Sequence, residues 1–406
     1  MAINKRPKAK SFGMGASSIS YAGRRSSDMR VHPAPDPEAF ERIRFFLREI
    51  GQGPRAGRDL TREEAHEAMS LILSRQATPA QAGGFLLVQR YKGESPDELA
   101  GFAEAVRAGA RTIEPKVEGL LDIGSPYDGR KKSIVVSPAS ALVAAAAGVP
   151  VVMHGEKAIG PKFGVPIGDV LEALGIDIDG APEEVERSIE GTGAGFMRQS
   201  RFVPQVFALR ELRTEIALRT CLSTVEKIYN LAGASYSLLG LSHLPYAEKM
   251  LAAASEMGFR RVMIVQGIEG NEDAPTSRPC RAFLWESTPR VADDSPLPRT
   301  GEGPGVRATR ELRIDPAAYG LQPATAEEMA GGDAAENARI AEGVLAGESG
   351  GHRDLVLLNA SIRIWLAERA ESIEAGIERA REAIDSGTAR AKLEALRSRA
   401  GQSSRR

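Results

Sequence analysis

Two cysteines, Cys221 and Cys280, are all that 406 residues contain, and no CxxC or other ligand-like spacing surrounds them. Their scarcity argues against a disulfide framework or a structural zinc, and suits a reducing cytoplasm. No apolar run approaches the roughly 20 residues of a spanning helix, so no membrane association is expected. The start is polar and basic without an apolar h-region, so no secretory signal is expected either. The formal net charge of −1 gives no global field that would draw nucleic acid or an anionic surface; either role would need a local patch. What remains is the composition of a globular protein, 42% hydrophobic and 26% charged, long enough for two domains or one large one with a helical appendage.

Residues 120–175 organise the rest. An apolar run, Leu120 to Ile123, leads into a loop with Gly124, Ser125, Asp128 and Gly129, backed by Arg130, Lys131 and Lys132. A small-residue helix from Ala139 to Ala147 stops at Gly148. A second apolar run, Val149 to Met153, then delivers His154, Gly155, Glu156 and Lys157 into another loop. Strand, loop, helix, strand and loop in this order spell a βαβ unit of a parallel sheet. Such loops gather at the carboxyl edge of the sheet. A helix opening near Ser137 directs unpaired N–H groups there, which favours an anionic ligand. Glycine loops also serve as plain αβ connections, so this signal alone is not specific.

Upstream, residues 1–35 are basic and aperiodic and read as a disordered tail, which solvates or contacts nucleic acid phosphates. Residues 36–112 read as helices. Thr61 with Glu64 forms a capping box, Thr78-Pro79 opens a further helix, and Ser95-Pro96-Asp97-Glu98 repeats the capping pattern. Downstream, Pro182 to Ile189 is a helix and Arg261 to Val265 a buried strand that ends at an acidic loop holding Glu272 and Asp273. Residues 288–310, rich in proline and glycine, are expected to be a flexible insertion whose flanks pair as a hairpin. Ala334 to Leu345 forms a helix, and one long helix is expected from Asp354 to about Gly387, before a basic end. The fold class is therefore α/β: a small N-terminal α-helical domain (36–112), then a larger α/β domain (113–400) with a mainly parallel central sheet and C-terminal helices.

The wording DIGSPYDG, then AAAAGVPVVMHG, then DVLEALG resembles the anthranilate phosphoribosyltransferase family and its nucleoside-phosphorylase relatives, as does ATPAQAGGFLLVQRYKGESPDELAGF in the helical part. The resemblance spans about residues 37–400. It implies transfer of a phosphoribosyl group from a phosphorylated sugar donor to an aromatic carboxylate acceptor, in tryptophan biosynthesis, with Mg2+ and a homodimer formed through the N-terminal helices. It also implies roles residue by residue. Gly124, Ser125, Asp128, Gly129, Ser137, His154, Gly155 and Lys157 hold donor phosphates, Arg213 faces the aromatic acid, and Ser137, Glu272 and Asp273 hold the metal.

Several positions depart from the family pattern. Pro126 and Tyr127 replace loop glycines, Val135 and Pro138 an asparagine and a threonine, Met153 a lysine, and Glu156 an asparagine. Val203 and Phe207 replace a histidine and a lysine. Proline removes an N–H, tyrosine fills space beside the phosphate, and Glu156 brings repulsion. Arg130, Lys131, Lys132, Lys157 and Lys162 are the cations near enough in sequence to compensate. Two readings follow: a transferase with a remodelled anion site, or a non-catalytic family member that binds nucleic acid as a dimer.

Overall fold

The computed structural model describes residues 36–53, 57–287 and 309–403. The basic tail (1–35) and most of the proline- and glycine-rich insertion (288–308) lie outside them. The described residues from Asp36 onward fall in one compact unit.

Four helices open the chain: α1 (Pro37–Ile50), α2 (Arg62–Leu73), α3 (Pro79–Lys92) and α4 (Pro96–Ala108). Their starts follow from local chemistry. Thr61, Thr78 and Ser95 each accept a hydrogen bond from the third helical N–H, and Glu64, Gln81 and Glu98 reach back to the cap's own N–H. Each box satisfies two backbone donors that a helix end would leave unpaired. Phe46, Phe85 and Phe102 are completely buried where these helices meet.

The remaining chain winds a seven-stranded sheet in the order β3-β2-β1-β4-β5-β6-β7. Its strands are β1 (Leu121–Gly124), β2 (Val151–Gly155), β3 (Ala194–Arg198), β4 (Tyr236–Gly240), β5 (Arg261–Val265), β6 (Cys280–Glu286) and β7 (Arg310–Ile314). The first five run parallel; β6 and β7 are antiparallel and form the hairpin expected across the insertion. Helices α5 (Ser137–Ala146), α6 (Ile167–Ala173) and α7 (Pro182–Thr192) fill the early crossovers.

Side-chain alternation along each strand feeds two separate cores. Leu121, Ile123, Val151, Met153, Leu238, Met263 and Val265 pack with α5, α6 and the C-terminal helices. Val152, Leu239, Val262 and Ile264 belong to the other core, which continues through the helices Pro182–Thr192 and Ala247–Ser255 to the apolar residues of α1–α4. Because both faces are covered, the strands read as continuous apolar runs rather than alternating ones.

One expectation fails. The single helix expected from Asp354 to about Gly387 is broken into Gly351–Leu366 and Ile373–Asp385. The break follows Glu368, which takes a left-handed φ of 58°, and Ser372 then caps a new helix by accepting from Ala375 N–H. Gly387 (φ 76°) then separates Ile373–Asp385 from a further helix, Thr388–Ser403, in the basic end. Left-handed residues stop a helix whatever the helix-forming strength of their neighbours.

Candidate active site

Connections leave β1 toward β2 on one side and β4 toward β5 on the other. The crevice between the carboxyl ends of β1 and β4 is thus the point where strand order reverses, the place where open α/β sheets receive ligands. A cleft of about 380 Å³ opens there. Arg90 and Glu94 border it from the helical domain, Asp128 and Tyr127 from the β1 loop, and Arg219, Ser223, Glu226, Lys227, Gly240, His243 and Gly270 from the rest.

Glycine at the end of β4 is a steric requirement. A Cβ on Gly240 would lie 1.8 Å from the carbonyl carbon of Asn271. The loop after β5 is thereby laid directly against the end of β4, and it carries Glu272 and Asp273 inward.

Those two carboxylates are fully buried together with Ser125 and Ser137. Both serine hydroxyls donate to Glu272 Oε1. Glu272 Oε2 has no hydrogen-bond partner in the structure. Asp273 sits between two guanidiniums, Arg130 Nη2 at 2.5 Å from Oδ2 and Arg363 Nη2 at 2.9 Å from Oδ1. Burial alone would raise the Asp273 carboxyl, but the attraction of Arg130 and Arg363 outweighs it and holds the group below the usual carboxylate range. Asp128, at the cleft wall, takes a forked pair from Arg219 at 2.7 and 2.6 Å. Gly129 turns the loop with a φ of 70°.

Behind this wall runs a buried polar chain. Asp122 Oδ1 lies 3.0 Å from His154 Nε2, and His154 Nδ1 lies 2.7 Å from Tyr127 Oη, which also meets Tyr229 Oη. Burial, with Tyr229 and Glu226 nearby, pushes the Tyr127 phenol well above its ordinary range, so it stays protonated. Tyr127 thus fills the space that a loop glycine would leave open, and His154 and Gly155 lie beneath it, at the end of β2.

Other expected site residues have partners of their own. Lys157 points away, its Nζ 2.6 Å from Glu172 on α6. Arg213 is buried in a forked pair with Glu226, at 2.7 and 3.0 Å, so its guanidinium already holds a carboxylate. Glu156 exerts no bare repulsion: Arg198 neutralises it at 2.6 Å, and the Ser200 N–H donates to it. Of the expected compensating cations, Arg130 serves Asp273, Lys162 pairs with Glu269, and Lys131 and Lys132 are exposed.

Sequence reasoning missed Arg363, Glu226 and Lys227. Arg363 carried a readable signal: a lone arginine in the apolar stretch LNASIRIWL, where a charge inside a buried helix face calls for a buried partner. Glu226-Lys227 is an adjacent pair whose separate destinations no periodicity announces.

Among the described residues, no three His, Cys, Asp or Glu side chains converge to hold a metal. Magnesium, however, needs only one or two carboxylates besides substrate phosphates. The unpartnered Glu272 Oε2, with the Ser125 and Ser137 hydroxyls on its other oxygen, is an oxygen set that fits such an ion. Asp273 is already balanced by its arginines.

A mainly parallel sheet with a helical bundle beside its carboxyl edge, and a charged cleft between them, is the architecture of a glycosyltransferase class. Residues 121–390 match the family model described as the glycosyl transferase family, a/b domain, and residues 46–110 match its helical bundle domain. The chain belongs to this family, that of the anthranilate phosphoribosyltransferases. The anthranilate phosphoribosyltransferase of Methanocorpusculum labreanum is 38% identical over 340 residues, covering 83% of this chain and 93% of that protein. The Haloferax volcanii enzyme of the same name is 38% identical over 342 residues, covering 84% and 96%. Among solved structures, the anthranilate phosphoribosyltransferase of Thermus thermophilus superposes with a TM-score of 0.73 at 29% identity, covering 89% of this chain and 99% of that one. The Saccharomyces cerevisiae enzyme in complex with PRPP and Mg shares the fold at the same TM-score and 19% identity, covering 89% and 98%. None of these names supports the non-catalytic, nucleic-acid-binding alternative.

No helix among the described residues is long and apolar enough to cross a membrane.

Proposed function

We propose that this chain is a pentosyltransferase that moves a phosphoribosyl group from phosphoribosyl pyrophosphate to an aromatic amine acceptor, as the anthranilate phosphoribosyltransferases named above do in tryptophan biosynthesis. The observation that carries the reading is the charged cleft at the β1/β4 reversal, walled on one side by the helical bundle. Relatives named for this reaction, similar over more than four-fifths of the chain, support it.

In such a transfer the bond between the anomeric carbon and pyrophosphate breaks while the carbon gains positive charge, so catalysis is chiefly positioning and charge stabilisation. Arg219, fixed by Asp128, and Arg90 place positive charge along the cleft. Glu272 with the Ser125 and Ser137 hydroxyls would hold Mg2+, whose contribution when bound is to neutralise the leaving pyrophosphate. Asp273 anchors Arg130 and Arg363 around that position. The acceptor's carboxylate must compete with Glu226 for Arg213.

The division near residue 112 and a homodimer through the N-terminal helices belong to the same reading; Leu87 and Tyr91 on α3 are exposed apolar side chains there. Calorimetric titration of phosphoribosyl pyrophosphate with Mg2+, repeated with chelator, tests the donor. An anthranilate consumption assay tests the acceptor. Absence of binding heat in both buffers would refute the transferase reading.

A further inference from the structure

Five cationic residues are buried in the described interior, and four have a carboxylate. Arg130 and Arg363 hold Asp273, Arg213 holds Glu226, and Arg261 meets Glu286. Lys227 alone among them has no carboxylate partner. Its Nζ makes one hydrogen bond, to the Gly240 carbonyl at 2.9 Å, although the residue is only 8% exposed. An ammonium has three donors. Burying it with one neutral acceptor is costly unless a counter-charge arrives.

Its position says where that charge would come from. Gly240 ends β4, and Gly124 ends β1 so close to Lys227 that a Cβ there would meet the Lys227 carbonyl oxygen at 2.9 Å and its Cβ at 3.1 Å. Lys227 is therefore wedged across the two strand ends where the sheet order reverses, and it lines the cleft. Every carboxylate that acts on it already has partners: Asp128 has Arg219, Glu226 has Arg213, and Glu272 has two serine hydroxyls. Arg219, Arg90, His243 and the Ser223 hydroxyl border the same space, with Glu94 at the rim.

We propose that Lys227 is the cation that receives a phosphate or pyrophosphate group of the sugar donor at the β1/β4 crevice, the ligand supplying the counter-charge that the fold withholds. The surroundings match: Arg219, Arg90 and Ser223 line the same cleft as Lys227. Burial and the nearby Arg219 lower the Lys227 ammonium to about 8, so at neutral pH it is still charged and becomes more so when an anion joins it.

This inference rests on the transferase reading but can fail separately. Inorganic pyrophosphate and phosphoribosyl pyrophosphate would be titrated calorimetrically into the full chain as wild type, Lys227→Met and Lys227→Arg. Loss of a charge-assisted contact should weaken binding roughly ten- to a hundred-fold in Lys227→Met. Lys227→Arg should recover a measurable part of the affinity, a rescue that a purely structural role would not give. Thermal melts establish that the variants fold; if Lys227→Met does not, Lys227→Gln takes its place in the comparison. Equal affinity in wild type and the neutral variant overturns the role of Lys227 and leaves the transferase reading standing. No binding of either ligand to wild type overturns both.

Discussion

Arg363 Nη2 lies 2.9 Å from Asp273 Oδ1, and solvent reaches neither side chain. The carboxylate belongs to the loop after β5 and the guanidinium to a helix 90 residues later. Arg130 approaches the same carboxylate from the β1 loop, and Arg363 also donates to Ser137 Oγ at 3.1 Å. Three distant segments thus meet on one acidic side chain, and each depends on the others for charge balance.

Arg363→Met should destabilise the fold by about 3–5 kcal/mol, the usual penalty for removing one partner of a buried ion pair. Asp273→Asn should cost a similar amount, because Arg130 and Arg363 then face each other without their shared anion. The double variant should lose clearly less than the sum, since the two changes remove one interaction. Denaturant midpoints of the four proteins decide this; strictly additive losses would mean the pair is not coupled.

Lys227 should make stability rise with alkalinity. Its folded-state value, about 8, is below the ordinary 10.5, so between these limits the unfolded chain binds more protons. Unfolding free energy must then increase with pH through that window, by roughly 3 kcal/mol at most. Below about pH 8 both states are protonated and the slope vanishes. Stability measured from pH 7 to 10.5 in wild type and Lys227→Met should diverge in this direction. Parallel curves would contradict the burial assigned to Lys227.

Glu226→Ala should release Arg213. A free guanidinium suits a carboxylate through two parallel hydrogen bonds, so affinity for anthranilate should increase, by about ten-fold or more. Stability should fall at the same time, as Arg213 loses its buried partner, and anthranilate should restore part of the loss by mass action. Calorimetry together with ligand-dependent melting temperatures would show both effects. Unchanged affinity would mean that Arg213 is structural only.

Tyr127→Phe should cost about 1–3 kcal/mol, because His154 Nδ1 and the Tyr229 hydroxyl both lose their buried partner. Tyr127→Phe with Tyr229→Phe should be less harmful than two independent losses, which chemical denaturation can test. Tyr127→Gly should instead open the β1 loop, and its effect on phosphoribosyl pyrophosphate affinity measures how far the phenol occupies ligand space.

Most of the architecture was legible because it rests on local signals. Thr61, Thr78 and Ser95 mark their own helix starts, and the apolar runs at Leu121, Val151 and Arg261 mark strands buried on both faces. That Ser137, Glu272 and Asp273 share a place was implied by the family resemblance, and the structure brings them together with Ser125. Charge pairing was not legible, since it depends on long-range geometry. Glu156 lies 42 residues from Arg198, and Asp128 lies 91 from Arg219. Arg213 and Glu226 are only 13 apart, yet their pairing depends on the turns between them, with Ala217 at a left-handed φ of 57°. The broken C-terminal helix was missed for a related reason: Glu368 is a good helix former, and only tertiary packing sets its φ of 58°.

The Arg363–Asp273 contact also bears on how the chain matures on the ribosome. Ser137 and Arg363 are separated by 226 residues, and Arg130 and Asp273 by 143. Strands β1, β4 and β5 all precede the Arg363 helix in the chain, so Asp273 has only half of its counter-charge until the helix follows. The closing step must wait for the helix Gly351–Leu366 to emerge, which places completion of this centre late in synthesis and among slow, non-local events. Truncation ahead of that helix would leave Asp273 with Arg130 as its one guanidinium and uncover the face of the sheet that the C-terminal helices bury.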